Sequence, residues 1–73
     1  MEKLDLHNIS HENALIIIDD FIIKNFHNLP IEIITGNSID MQTILKGLIK
    51  KHNLRMVPTH ANNLGSYIIN YKL

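Results

Sequence analysis

Asp5 and His7 stand two residues apart in the string Leu4-Asp5-Leu6-His7, and in a pleated strand residues two apart share a face. With Leu4 and Leu6 turned toward a core, the carboxylate and the imidazole are expected to point outward side by side. A histidine there can move a proton near neutral pH as general base or acid, and the aspartate can orient it or hold a divalent cation. A second string, Ile33-Ile34-Thr35-Gly36-Asn37, ends an apolar strand on a glycine and is soon followed by a helical pattern. Backbone N–H groups at that helix start can meet an anion, and phosphate is the natural guest. Both strings read as strands running into polar loops before helices, where α/β proteins place ligand-binding groups. They are expected to converge at the carboxyl ends of two neighbouring parallel strands.

The elements that must position these residues follow from periodicity. Residues 3 to 7 read as a first strand. Ser10 caps a helix running to about His27, with Glu12 in its first turn complementing the dipole. Ala14, Leu15, Ile17, Ile18, Phe21, Ile22 and Phe26 share one arc of that helix, whereas Ile16 and Ile23 fall among its polar residues. Those two isoleucines are expected at the surface, either as ordinary scattered apolar residues or as a surface for self-association or a larger protein partner.

Pro30 opens a second strand through Thr35, whose isoleucines suggest burial on both faces in the centre of a sheet. A second helix starts at Ser38 or Asp40 and ends near Asn53, with Met41, Ile44, Leu45 and Leu48 inward and Gly47 weakening it. Residues 54 to 60 and 66 to 71 read as a hairpin joined by Ala61-Asn62-Asn63-Leu64-Gly65, the glycine tolerating positive φ. The order βαβαββ predicts a two-layer α/β domain, a four-stranded mixed sheet with two helices on one face.

At 73 residues the chain fits one domain over 1–73, able to bury about 60% of the surface its unfolded form exposes. It has no cysteine, hence neither a disulfide framework nor a thiolate nucleophile. The longest apolar run, Ala14 to Ile18, is far short of the roughly 20 residues of a membrane span. No basic-then-apolar leader pattern is visible, so a soluble, cytoplasmic protein is expected.

The formal net charge of zero hides an asymmetry: every acid lies at or before Asp40, and Lys46, Lys50, Lys51, Arg55 and Lys72 follow with no acid among them. On one face they form a basic patch for a polyanion. The alternative is a solvated face whose lysines offset the carbonyl end of the helix dipole. Arg55 and His60, on or beside the penultimate strand, are candidates to reach a nucleic-acid backbone. His11, His27, His52 and His60 read as surface residues, and no pair has metal-ligand spacing on one element. There is no Walker loop and no GxGxxG string. With only Phe21, Phe26, Tyr67 and Tyr71 as benzenoid rings, a base-stacking reader of single-stranded RNA has little support.

Leu4-Asp5-Leu6-His7-Asn8 and Thr35-Gly36-Asn37-Ser38, with a later Asn63-Leu64-Gly65, resemble the small MutS-related (Smr) domain family, whose signatures are Leu-Asp-Leu-His-Gly and Thr/His-Gly-x-Gly. The resemblance spans almost the whole chain. Asn8 and Ser38 replace family glycines; asparagine tolerates left-handed backbone, and a serine hydroxyl can cap a helix or contact phosphate. The resemblance implies a fold like the carboxyl-terminal domain of translation initiation factor 3 and binding of DNA or RNA, in some members with nicking endonuclease activity.

The expected catalytic residues are thus Asp5 and His7. The expected phosphate or nucleic-acid contacts are Thr35, Gly36, Asn37, Ser38, Lys46, Lys50, Lys51, Arg55 and His60. The metal is left unknown; a divalent ion such as magnesium or manganese is the cofactor this chemistry can use. The alternative is a non-catalytic nucleic-acid or protein-interaction module on the same fold.

Overall fold

β-Branched isoleucines favour extended backbone, and in the computed structural model, which describes residues 1–73, Ile31–Ile34 form strand β2. The full order is β1 (Lys3–Asp5), α1 (His11–Lys24), β2, α2 (Ile39–Lys51), β3 (Leu54–His60) and β4 (Asn63–Tyr71). The sheet runs β1-β2-β4-β3. β1 lies parallel to β2, with Leu4 beside Ile33, whereas β4 is antiparallel to both β2 and β3. The chain is therefore the α/β domain that the βαβαββ order predicts, with a four-stranded mixed sheet and two helices.

One alternation of the strands supplies the core. Ile31, Ile33, Tyr67 and Ile69 are buried with Ala14, Ile18 and Ile22 of α1 and Met41, Leu45, Leu48 and Ile49 of α2 in a single cluster, so both helices cover the same face of the sheet. Fully burying each large aliphatic side chain contributes about 1.5–3 kcal/mol. The opposite face has no covering layer. This corrects the expectation that β2 is buried on both faces: Ile31 and Ile33 are buried, while Glu32 and Ile34 are only half-buried.

Both helices begin on serine caps. Asn13 donates its N–H to Ser10 Oγ at 3.3 Å, and Met41 donates to Ser38 Oγ at 3.1 Å. α1 stops at Lys24, earlier than periodicity suggests, because the Asn25 side-chain amide donates to the Phe21 carbonyl at 2.9 Å and competes with continued helix bonding. α2 ends on His52, followed by Asn53 at φ 57, a left-handed exit that asparagine tolerates. Leu15, expected inward, is 51% exposed at the gap between the helices, and Ile49 takes a core place that the expected stripe omitted. Ile16 and Ile23 are exposed, at 70% and 56%.

The hairpin is tighter than its sequence suggests. β4 starts at Asn63, leaving Ala61-Asn62 as the turn, and Leu64-Gly65 bulge out of register where the pairing passes from Pro58 opposite Tyr67 to His60 opposite Asn63. Gly65 does not adopt positive φ; among glycines only Gly36 does. What Gly65 supplies is room, since a Cβ there would lie 3.2 Å from the Gly36 carbonyl carbon.

Candidate phosphate-binding cleft

Because β1 and β2 are parallel neighbours, the loops leaving their carboxyl ends emerge at the same edge of the sheet. The first strand ends at Asp5 rather than His7, although Leu6 still donates its N–H to the Ile34 carbonyl at 3.0 Å and keeps the two loops adjacent. The loops share one cadence. A left-handed residue, Asn8 at φ 61 and Gly36 at φ 67, stands two positions before the capping serine, Ser10 and Ser38. Each loop thus turns sharply and delivers a helix amino terminus to the same place.

Between them lies a cleft of about 420 Å³, lined by Asp5 at the end of β1, His7 and Asn8 from the first loop, His11 from α1, and Thr35 to Ser38 from the second loop. Asp5, His7, Thr35, Gly36, Asn37 and Ser38 therefore come together at one site. The first N–H groups of a helix have no intrahelical acceptor and carry the positive end of the dipole. Two such ends border this cleft, a setting suited to an anion. His11 Nδ1 lies 3.9 Å from Asp40 Oδ2, linking the first turns of the two helices.

The Asp5–His7 pair differs from the side-by-side expectation. Asp5 Oδ1 accepts the backbone N–H of His7 at 2.9 Å, so the carboxylate shapes the turn that ends β1 and does not orient the imidazole. The imidazole, exposed at the cleft, is left available to a ligand. Ser38, standing where the resemblance has a glycine, turns its hydroxyl to the Met41 N–H as a helix cap.

The late basic residues do not gather with this loop. α2 starts at the cleft and runs away from it, placing Lys50 and Lys51 about 18 Å beyond Ser38 at 1.5 Å per residue. Lys51 Nζ is 3.3 Å from Asp19 Oδ1. Arg55 Nε donates to the Tyr71 carbonyl at 2.9 Å, and its register opposite Asn70 puts it at the far end of the sheet. Lys46 and Lys50 remain exposed, four residues apart on one helix face. His60 is exposed beside the hairpin turn at the cleft end of the sheet, on a strand separated from β2 by β4. The single basic patch resolves into Lys46 and Lys50, with Lys51 and Arg55 held by internal partners.

One histidine departs from its surface reading, and another is exposed as expected yet stands at the cleft. His11 lines the cleft, a place foreshadowed by its position directly after the Ser10 cap. His52 has a side chain only 16% exposed, with Nε2 2.6 Å from Asp19 Oδ1. The His52 contact, with Lys51 adding to it, holds the Asp19 carboxyl below the usual carboxylate range against the opposing effect of burial. No group of three or more His, Asp or Glu side chains is placed to hold a metal ion. The residues present do not assemble a metal site from protein ligands alone.

A second concavity of about 410 Å³ lies between the helices, lined by Leu15, Ile16, Leu48, Asp19, Asp20 and Lys51. Asp19 and Asp20 are already paired with Lys51 and Lys24, so this groove offers no free polar group comparable with the cleft's. No helix is long and apolar enough to cross a membrane. No protein-family model matches the chain, and no curated protein matches it.

Proposed function

We propose that this chain is a nucleic-acid-binding domain that holds a backbone phosphate of DNA or RNA in the cleft between the β1–α1 and β2–α2 loops. The observation that carries the reading is the convergence of two serine-capped helix amino termini on one cleft that also holds His7, His11 and the Thr35–Ser38 run. The likeness of the two loop sequences to the Smr signatures adds to it, and the membership of that family is part of the proposal. Unpaired N–H groups at a helix start bind phosphate through charge-assisted hydrogen bonds.

In the catalytic form of the reading, the domain is a phosphodiester hydrolase. A water attacks phosphorus and forms the new P–O bond, the His7 imidazole takes the proton of that water, and the ester P–O bond breaks. The leaving oxygen takes a proton from solvent. The N–H groups of the second loop stabilise the charge gathering on the non-bridging oxygens.

One observation favours the non-catalytic module instead: the Asp5 carboxylate bonds the His7 backbone N–H and makes no hydrogen bond to the imidazole, which stands without an orienting acid. Anisotropy titrations of labelled DNA and RNA at low salt, paired with cleavage assays in magnesium, manganese or chelator, separate the two forms. Binding with cleavage that His7→Ala removes supports the hydrolase. Binding without cleavage by highly purified protein supports the module, and no binding to either polymer overturns both.

A further inference from the structure

The Gly36 peptide is gripped on three sides. Its N–H donates to the Gly65 carbonyl at 3.0 Å, and Thr35 N–H donates to the same carbonyl at 2.9 Å. Its own carbonyl accepts the Thr35 hydroxyl at 2.9 Å and the Gln42 side-chain amide at 3.3 Å. The same Gln42 nitrogen donates to the Leu64 carbonyl at 3.0 Å. Gln42 thus bridges the second loop of the cleft and the bulge of β4, which lies on the side of β2 away from β1.

Peptide planarity gives this grip a direction. In a trans peptide the C=O and the following N–H point in opposite senses. Pinning the Gly36 carbonyl toward Gln42 therefore turns the Asn37 N–H away from Gln42. The N–H groups of Asn37 and Ser38 have no acceptor within the chain. Gln42 itself does not line the cleft.

We propose that Gln42 is the positioning residue of the cleft: by holding the Gly36 carbonyl against the β4 bulge it fixes the Gly36–Asn37 peptide with its N–H presented to the bound phosphate. The ligand half of this statement rests on the phosphate-binding reading above, while the loop half stands on the hydrogen bonds alone. The buried Thr35 donates its hydroxyl to the same carbonyl and shares the task. Sequence reasoning had no signal for Gln42, because both of its partners are backbone atoms and one is 22 residues away.

The test is Gln42→Met, which keeps the length of the side chain, adds no charge and removes the donor. Full-length wild type and variant are compared by amide hydrogen exchange and by ¹H–¹⁵N spectra during titration with inorganic phosphate. The expected result is faster exchange at Gly36, whose N–H to Gly65 loosens with the loop, while the core amides of Ile33 and Leu45 exchange as in wild type. Phosphate affinity at Asn37 and Ser38 is expected to fall about tenfold, the scale of one or two lost hydrogen bonds. Gln42→Lys, which restores a donor, is expected to return Gly36 exchange toward wild type. Unchanged exchange at Gly36 in Gln42→Met overturns the positioning role. A wild type whose Asn37 and Ser38 amides ignore phosphate overturns the phosphate-binding reading, and the exchange data then judge the loop half by themselves.

Discussion

Gly65 and Gly36 touch backbone to backbone: the Gly65 carbonyl accepts the Gly36 N–H at 3.0 Å, and a Cβ on Gly65 would sit 3.2 Å from the Gly36 carbonyl carbon and 3.3 Å from its oxygen. The hairpin bulge is thereby the back wall of the cleft's second loop. A methyl group at 65 must push on backbone, which gives less readily than a side chain.

Gly65→Ala is accordingly expected to destabilise the fold by about 1–3 kcal/mol, the usual scale of overpacking, and to shift the amide resonances of Thr35 and Gly36. Gly47→Ala is the contrasting control. Its Cβ would meet nothing within 4 Å inside α2, and replacing a mid-helix glycine is expected to stabilise by about 0.5–1 kcal/mol. Urea denaturation of the two variants, moving in opposite directions, checks both.

Ser38 separates helix capping from the glycine that the resemblance expects. Ser38→Ala removes the acceptor of the Met41 N–H and is expected to cost about 1 kcal/mol, whereas Ser38→Gly costs only a few tenths. Equal losses for the two variants in chemical denaturation would contradict the capping role.

Acid should weaken the fold through two carboxylates. Asp19 is held below its ordinary value of 3.8 first by His52 and then by Lys51, and Glu32 below 4.5 first by the Ser66 hydroxyl and then by Lys3 and the Thr59 hydroxyl, in each case against burial. A carboxylate whose folded pKa is depressed adds stability that is complete above the unfolded value and is lost as pH falls through the folded one. The melting temperature is therefore expected to fall as pH drops from about 5 through these lowered values. Asp19→Asn and Glu32→Gln should each flatten that decline, and a wild-type slope retained in both variants would contradict the assignment.

Salt dependence should be shallow for a nucleic-acid binder. Lys51 and Arg55 are engaged within the chain, which leaves few free cations to displace counterions, and log–log plots of affinity against salt have a slope of about −0.9 per phosphate neutralised on duplex DNA. A slope steeper than about −3 in such titrations would show that the late basic residues bind as a group after all.

Much of the architecture was legible because local signals agreed with one another. Isoleucine density marked β2, serines with helical stripes behind them marked both helix starts, and two strands that each feed a helix through a right-handed crossover placed both βα loops at one edge. The losses have particular causes. Asp5 bonds the His7 backbone rather than its imidazole because a short carboxylate competes for nearby backbone N–H groups. His52 could not be told from a surface histidine because its partner Asp19 is 33 residues away. Gln42 and Gly65 act across a β-bulge whose register no local pattern announces. The basic residues share a stretch of sequence but not a surface, since a helix carries Lys50 and Lys51 away from the loop that starts it.

The central claim is that the cleft between the two βα loops holds a nucleic-acid phosphate, and amide chemical-shift mapping of the full chain with a short DNA or RNA at low salt tests it most directly. The account predicts the largest shifts at Gly36 to Asp40 and at His7 to Glu12, reversing as salt is raised. Shifts confined to the exposed face of Lys46 and Lys50, or spectra unchanged by either polymer, would contradict it.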